Sequence, residues 1–434
     1  MRFHALRFQH RILGGAAVLA VTQFGASVAG LIRDRLLAQT FPGLSTVDVY
    51  IASFRPSDLL FQIFIMAGFS VALVPLLARY HVDRDEREME RLLNGVICIS
   101  SVGFGLIALM LTALMPWIAP HLTQFTGGDL ALYIRFARLA LLINFLFVFA
   151  NAYGQYLLTV QRFWVYGLAP ILYTLGTIAG TLWLTPVYGQ AGPMLGTVIG
   201  AVVCMFARLA ALLWRGYRPR FMLWHPDIGQ LGLLMIPRMI ALAMLYVELL
   251  IFDGIASGMP AGSVTVNAYT RNFQSVIIGV SGIALALSIF SLLSQSAAKG
   301  EWHRYGVYLR KGILYLLALT IPGAIALVLL TPVAVWLVHL ERQAALFSIC
   351  LTLYAFSIPF ESLNHLFSRA YFALKDTTRP AIFNVVNAVV AVAVAWWFAP
   401  AIGVFSLPLG YTLGHVVQMA GLALLLPHKP VTAS

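Results

Sequence analysis

The sequence predicts an all-α polytopic membrane protein with about twelve transmembrane helices in two six-helix lobes related by a pseudo-twofold axis. Three observations predict it. The 434 residues are 60% hydrophobic and only 10% charged, with a mean hydropathy of +0.86, far from the balance of a soluble globular chain. Apolar runs of ~20 residues, enough to cross ~30 Å of hydrocarbon, recur along the whole chain, and no polar block of domain size interrupts them. The chain also resembles itself when displaced by about half its length. "FRPSDLLFQIFIMAGFSVALVPLLARY" then faces "TRNFQSVIIGVSGIALALSIFSLLSQS", superposing Arg55 on Arg271, and at nearly the same displacement "YLLTVQRFWVYGLAP" faces "AYFALKDTTRPAIFN". Such a repeat implies two lobes of the same orientation with a shared cavity between them.

The elements follow in order. The first thirty residues have the basic head, apolar run and small residues of a secretory signal. The run continues into "LIRDR", however, so it reads as a first membrane helix with a charged end. One set of connections holds Arg79, Arg84, Arg87 and Arg91, then Arg162, then Arg215, Arg218 and Arg220, then Lys299, Arg304, Arg310 and Lys311, then Lys375 and Arg379. These are expected in the cytoplasm. The alternate connections contain only Arg342 and are expected outside. Arg2, Arg7, Arg11 and Lys429 put both termini on the basic side, so the number of spans is even. "ARYHVDRDEREMERLL" reads as a solvated loop entering the third helix. In "LLWRGYRPRFMLWHPDIGQLG", Trp214, Tyr217, Phe221 and Trp224 interleave with basic residues, the pattern of a linker at the cytoplasmic interface. The expected organisation is therefore an N-terminal lobe over 1–213, a linker over 214–230 and a C-terminal lobe over 231–434.

Several functions are excluded on composition. The net charge of +12 lies mainly in short basic loops, where topology and anionic lipid demand it, so no nucleic-acid partner is expected. Cys98, Cys204 and Cys350 sit in different apolar stretches with neither disulfide nor ligand spacing. Ten histidines, among them His225, His303, His365 and His415, form no HExxH pattern, and no enzyme is expected. His365, beside Glu361, Asn364 and Arg369, marks a polar helix face lining a cavity rather than a catalytic group.

Charged groups inside membrane spans are costly and face water, one another or a ligand. Arg33, Asp34 and Arg35 end the first apolar run. Either they pair locally and snorkel to the interface, or they meet an anion; the orientation rule least favours two arginines at an outward end, which points to the anion. Arg55 and Asp58 lie three apart with Pro56 between them, so a break or kink of the helix is expected there, and interrupted helices with charged groups build midplane sites. In the second copy Arg271 occupies the place of Arg55, followed by Gln274. Two such arginines suit an anionic cargo, because a guanidinium grips phosphate with a planar fork and keeps its charge. A multidrug exporter would want carboxylates for a cationic cargo; Glu248 and Asp253 are the exceptions to a mainly basic set.

"GLIRDRLLAQTFPG", "VDVYIASFRPSDLL", "GFSVALVPLLARY", "VQRFWVYGLAP" and "YTRNFQSVIIGVSGIALALSIFSLLSQSAAKGE" resemble, in order, the blocks of the MurJ/MviN lipid II flippases of the multidrug/oligosaccharidyl-lipid/polysaccharide exporter superfamily. The resemblance implies a monomer in the bacterial inner membrane. It would use no cofactor and carry a lipid-linked sugar diphosphate among membrane lipids by alternating access. It sets Arg33, Asp48 and Arg271 on the family's functional positions, with Asp34, Arg55, Asp58 and Gln274 beside them. It also implies a coupling cation, Na+ or H+, for which Glu248, Asn384, Asn387 and Thr412 could supply hard oxygen ligands. Departures are Ser27, Phe61, Gln62, Met66 and Gln274, which stand where the family carries charge, so another polyprenyl-diphosphate glycan is the alternative cargo. A non-transporting partner in envelope assembly is the third class.

Overall fold

A computed structural model of the chain describes residues 2–69 and 73–426. The described residues are helical without a strand. Lys429 lies outside them, and the side chains of Arg2, Arg7 and Arg11 are likewise outside the description. Contacts divide the chain into two compact units, 1–246 and 247–434.

The first unit contains α1 (Arg2–Thr40), α2 (Ser45–Phe61), α3 (Val74–Val82), α4 (Glu86–Leu122), α5 (Gly127–Thr159), α6 (Phe163–Ala179), α7 (Thr185–Tyr188) and α8 (Gly192–Leu213). The helix α9 (Asp227–Ala256) crosses the division. The second unit continues with α10 (Ser263–Ile277), α11 (Ala284–Ala298), α12 (Trp302–Leu329), α13 (Thr331–Val338), α14 (Ala344–Ala373), α15 (Thr378–Ile402) and α16 (Ser406–Leu424). Seven stretches among the described residues are long and apolar enough to cross a membrane, and three of the seven, 163–213, 263–298 and 378–424, hold more than one α-helix.

The half-length repeat is written into the backbone of each unit. Positive φ occurs at Leu44 and Gly262, Arg84 and Gly300, Gln161 and Lys375, and Gly189 and Gly403, each pair at nearly the displacement that superposes Arg55 on Arg271. Gly189 and Gly403 even share their angles, φ 57° ψ −133° and φ 59° ψ −139°, and each is followed by a single 3-10 turn. That conformation is nearly closed to residues with a Cβ, which is why glycine serves at both turns. A π-helical stretch follows α2 at Gln62–Met66 and α10 at Ile278–Ile283.

Beyond each of those glycine turns the chain folds back as a tight hairpin. In the first unit Gly176 and Gly180 meet Gly196 and Gly200 backbone to backbone, a GxxxG face on both partners. In the second, Gly410 and Gly414 of α16 lie against the backbone of α15 at Ala391 and Asn387. Small residues matter here because lipid supplies no hydrophobic drive between helices, so close packing must hold them together.

The linker is fixed to the first unit rather than draped free. Asn94 of α4 donates to the Arg218 carbonyl at 3.1 Å and accepts from the Tyr217 hydroxyl at 2.6 Å and the Arg220 amide at 3.2 Å. Burial pushes the Tyr217 hydroxyl well up from its ordinary pKa, so it stays a donor. Trp214, Phe221 and Trp224 remain exposed, at 91%, 78% and 73%, as an interfacial aromatic element requires. Tyr217 differs from the other three aromatics because its hydroxyl closes the Asn94 clamp.

Candidate functional site

In the first unit the charged residues gather on α1 and α2. Both Nε and Nη2 of Arg33 donate to one carboxylate oxygen of Asp34, at 2.9 and 2.6 Å. Asp34 is buried while Arg33 stays about a quarter exposed, so the pair is anchored at its acid end. Arg35 is half-buried on the next residue. Asp48 is 3% exposed in the first turn of α2, where the positive end of the helix dipole favours a carboxylate.

The break expected at Pro56 is not there. The helix α2 runs unbroken from Ser45 to Phe61, and the irregularity comes six residues after Pro56, in the π-helical Gln62–Met66. A π-turn inserts one residue and re-aims the side chains beyond it. Arg55 and Asp58 therefore sit on regular helix, one turn apart. Asp58 accepts from Asn144 of α5 at 2.9 Å, and the same amide donates to Ser57 at 2.8 Å. Tyr173 of α6 lies within electrostatic reach of Tyr50, Asp58 and Arg33, which ties the two charged groups to one aromatic neighbour.

The second unit builds a denser network. Arg271 stacks its guanidinium over Tyr411 at 5.0 Å and feels the charge of Glu248 and Glu361, while its Nη1 has no hydrogen-bond partner among the described residues. Gln274, one turn on, donates to Ser357 at 3.0 Å and Glu361 at 2.7 Å. Tyr411 donates to the same Glu361 oxygen at 2.8 Å, and His415 approaches it at 3.9 Å. Glu248 is 3% exposed, with one carboxylate oxygen unpartnered among the described residues.

Of the four residues expected to hold a cation, two are joined by side-chain hydrogen bonds. Asn387 donates to Gln418 at 3.0 Å and Gln418 to Asn384 at 2.6 Å, so the two asparagines join through a glutamine. Thr412 instead donates to the Leu353 carbonyl at 2.9 Å, and Glu248 belongs to the Arg271 group. Among the described residues no cluster of three His, Cys, Asp or Glu could hold a metal. Asp253 is buried, and Cys98, Cys204 and Cys350 are free thiols.

Asn144, Tyr411 and Gln418 are neutral and carry no charge signal in the sequence. A signal was present: Tyr411, His415 and Gln418 are spaced four and three apart, hence on one helix face, as are Tyr354, Ser357, Glu361 and Asn364. The departures from the family pattern also find physical places. Phe61 is 5% exposed with its ring 6.1 Å from Phe104 and 6.4 Å from Phe147, so an aromatic cluster fills that position. Ser27 is exposed and donates to the Gln23 carbonyl of its own helix at 3.1 Å.

The profile of the family described as lipid II flippase MurJ matches residues 37–433. A probable lipid II flippase MurJ of Vibrio cholerae is 23% identical over 438 residues, spanning 94% of this chain and 82% of its own. The lipid II flippase MurJ of Burkholderia cenocepacia is 23% identical over 420 residues, spanning 92% and 81%. Among solved structures, a lipid II flippase MurJ in an inward closed conformation superposes with a TM-score of 0.78 at 20% identity, covering 96% of this chain and 88% of that one. An inward-facing multidrug resistance MATE family transporter gives 0.76 at 16% identity, covering 92% and 93%. Those two likenesses establish the shared transporter fold. The family profile spans nearly the whole chain, and this protein belongs to the MurJ family.

Proposed function

We propose that the chain flips a lipid-linked sugar of the lipid II type across the bacterial cytoplasmic membrane by alternating access, as a monomer with both termini in the cytoplasm. A diphosphate crossing the membrane must be stripped of part of its water, so the carrier has to offer fixed positive donors in its place. The observation that supports this reading most is Arg271, a guanidinium surrounded by apolar helices whose Nη1 keeps an unused hydrogen bond. Arg33 is assigned the donor's part in the first unit, oriented by Asp34. Asp48 is assigned to the conformational cycle, as a carboxylate able to pair with an arginine in one state only. Glu248 is assigned to a coupling cation, Na+ or H+, and no other cofactor is invoked.

A second cargo, another polyprenyl-diphosphate glycan, is favoured by one observation. Phe61 belongs to an aromatic cluster, so the position cannot contribute the charge that the family resemblance implies there. The test is uptake of fluorescent lipid II, and of a polyprenyl-diphosphate oligosaccharide lacking the peptide, by proteoliposomes of the purified protein. Transport of lipid II is expected to exceed that of the other glycan and to vanish in Arg33→Ala. Folded wild-type protein that moves neither lipid defeats the proposal, and preference for the second glycan replaces the cargo.

A further inference from the structure

Two arginines lie within the α5 span and outside every loop. Arg135 and Arg138 are one turn apart and both exposed, on a helix apolar enough to cross a membrane. Arg138 donates from Nε to the Thr112 carbonyl of α4 at 2.9 Å. Thr112 stands four residues before Pro116, which has no N–H, so the helix leaves that carbonyl without its regular donor. Arg138 supplies the missing bond from a neighbouring helix. Its Nη1 and Nη2 are left without a protein partner among the described residues.

Arg138 and Thr112 border a groove of about 360 Å³ between α4 and α5, whose walls include Gly105, Ala108, Leu141, Leu142 and Phe145. The surface beside it is apolar and open, with Leu106 at 64% and Trp117 at 67% exposed, as expected of a face turned to lipid. A guanidinium at such a place is costly unless an anion meets it. Trp117, a residue type enriched at membrane interfaces, lies on the same helix five residues beyond Thr112, ~8 Å at ~1.5 Å per residue. Side chains lean toward the N-terminus of their helix, which carries the Arg138 guanidinium toward the α4–α5 turn and so toward the level of Trp117.

We propose that this groove binds an anionic glycerophospholipid, its phosphate on Arg138 and part of one acyl chain along the apolar wall. A free inorganic anion could meet the charge but would leave the wall uncovered. A zwitterionic headgroup would bring its ammonium close to Arg135, one turn nearer the interface. An anionic headgroup satisfies both arginines and the groove together.

The experiment is native mass spectrometry of the full-length protein, delipidated and then titrated with phosphatidylglycerol or with phosphatidylcholine of the same chains. Wild type is expected to retain one phosphatidylglycerol at least fivefold more tightly than phosphatidylcholine. Arg138→Gln should lose that preference and Arg138→Lys keep part of it. Since Arg138→Gln also removes the bond to Thr112, Leu142→Trp serves as the second variant: it obstructs the groove, leaves the arginine, and should weaken phosphatidylglycerol by a similar factor. Equal retention of the two lipids by wild type, or undiminished phosphatidylglycerol binding in Leu142→Trp, overturns the proposal. Displacement of the bound lipid by inorganic phosphate would reduce the site to a simple anion site, and displacement by equimolar undecaprenyl phosphate would assign it to the carrier lipid; either overturns the phospholipid.

Discussion

The first unit ties α2 to α5 and the second ties α10 to α14, in each case by a side-chain amide, but the two ties run in opposite directions. In the first, Asn144 on α5 donates to Asp58 on α2; in the second, Gln274 on α10 donates to Glu361 on α14. The repeat superposes Arg55 on Arg271 and Asp58 on Gln274, so the arginine keeps its helix while the carboxylate moves to the neighbour. The consequence is electrostatic. Asp58 shares a helix with Arg55 and can answer it directly from one turn away. Glu361 is held by Gln274 and Tyr411 and approached by His415, and Arg271 keeps an unused donor. The tie between the two helices recurs in both units, but Nη1 of Arg271 is left without a hydrogen-bond partner among the described residues.

The largest effect should therefore separate the two arginines. Arg271→Ala is expected to cut flipping in proteoliposomes on the order of 100-fold, as loss of a desolvated charge partner does. Arg271→Lys should recover only part, because the ammonium keeps the charge and loses the planar fork. Arg55→Ala should cost severalfold less, since Arg55 has Asp58 beside it. Equal losses at the two positions would erase the contrast.

The carboxylates should differ in stability rather than transport. Glu361→Ala leaves Gln274 its bond to Ser357 at 3.0 Å but removes the acceptor of the Tyr411 hydroxyl in a membrane interior, at ~1–3 kcal/mol for the unsatisfied group. Asp58→Ala leaves Asn144 still bonded to Ser57 at 2.8 Å, so its cost should stay near ~1 kcal/mol. Thermal unfolding in detergent measures both, and a larger loss for Asp58→Ala would reverse the comparison.

The sequence carried the contrast only in part. Arg55, Asp58, Arg271 and Gln274 were legible because a charge or amide in an apolar run is conspicuous and because the repeat aligned them. Their partners were not, since Asn144, Ser357 and Tyr411 are neutral residues whose meaning depends on which helix each one meets. Pro56 misled for a related reason. Proline removes one backbone donor, yet neighbouring helices can hold the chain helical around it, and the π-turn that does interrupt α2 follows Phe61 without a proline or glycine within it. The hairpin glycines show the reverse: Gly196 and Gly200 recur as Gly410 and Gly414, a pattern visible in the sequence whose packing role needed the partner helix to appear.

The smallest expected effect tests the comparison at its other corner. To within one residue, the displacement that pairs Arg55 with Arg271 sets Arg33 of α1 against Glu248 of α9, so the first helices of the two copies carry opposite charge. Arg33 is engaged by Asp34, whereas Glu248 is buried near Arg271 with one carboxylate oxygen unpartnered among the described residues. If that oxygen serves a coupling cation, Glu248→Gln keeps the shape and a carbonyl oxygen but removes the charge that attracts the ion. Cargo affinity should hardly change, because Arg271 retains its guanidinium and loses an opposing charge. The sodium or proton dependence of transport should shift by a few-fold, read from uptake under imposed sodium and pH gradients. A mutant whose ion response matches wild type removes Glu248 from coupling, and the inverted charge then serves only to hold Arg271 in place.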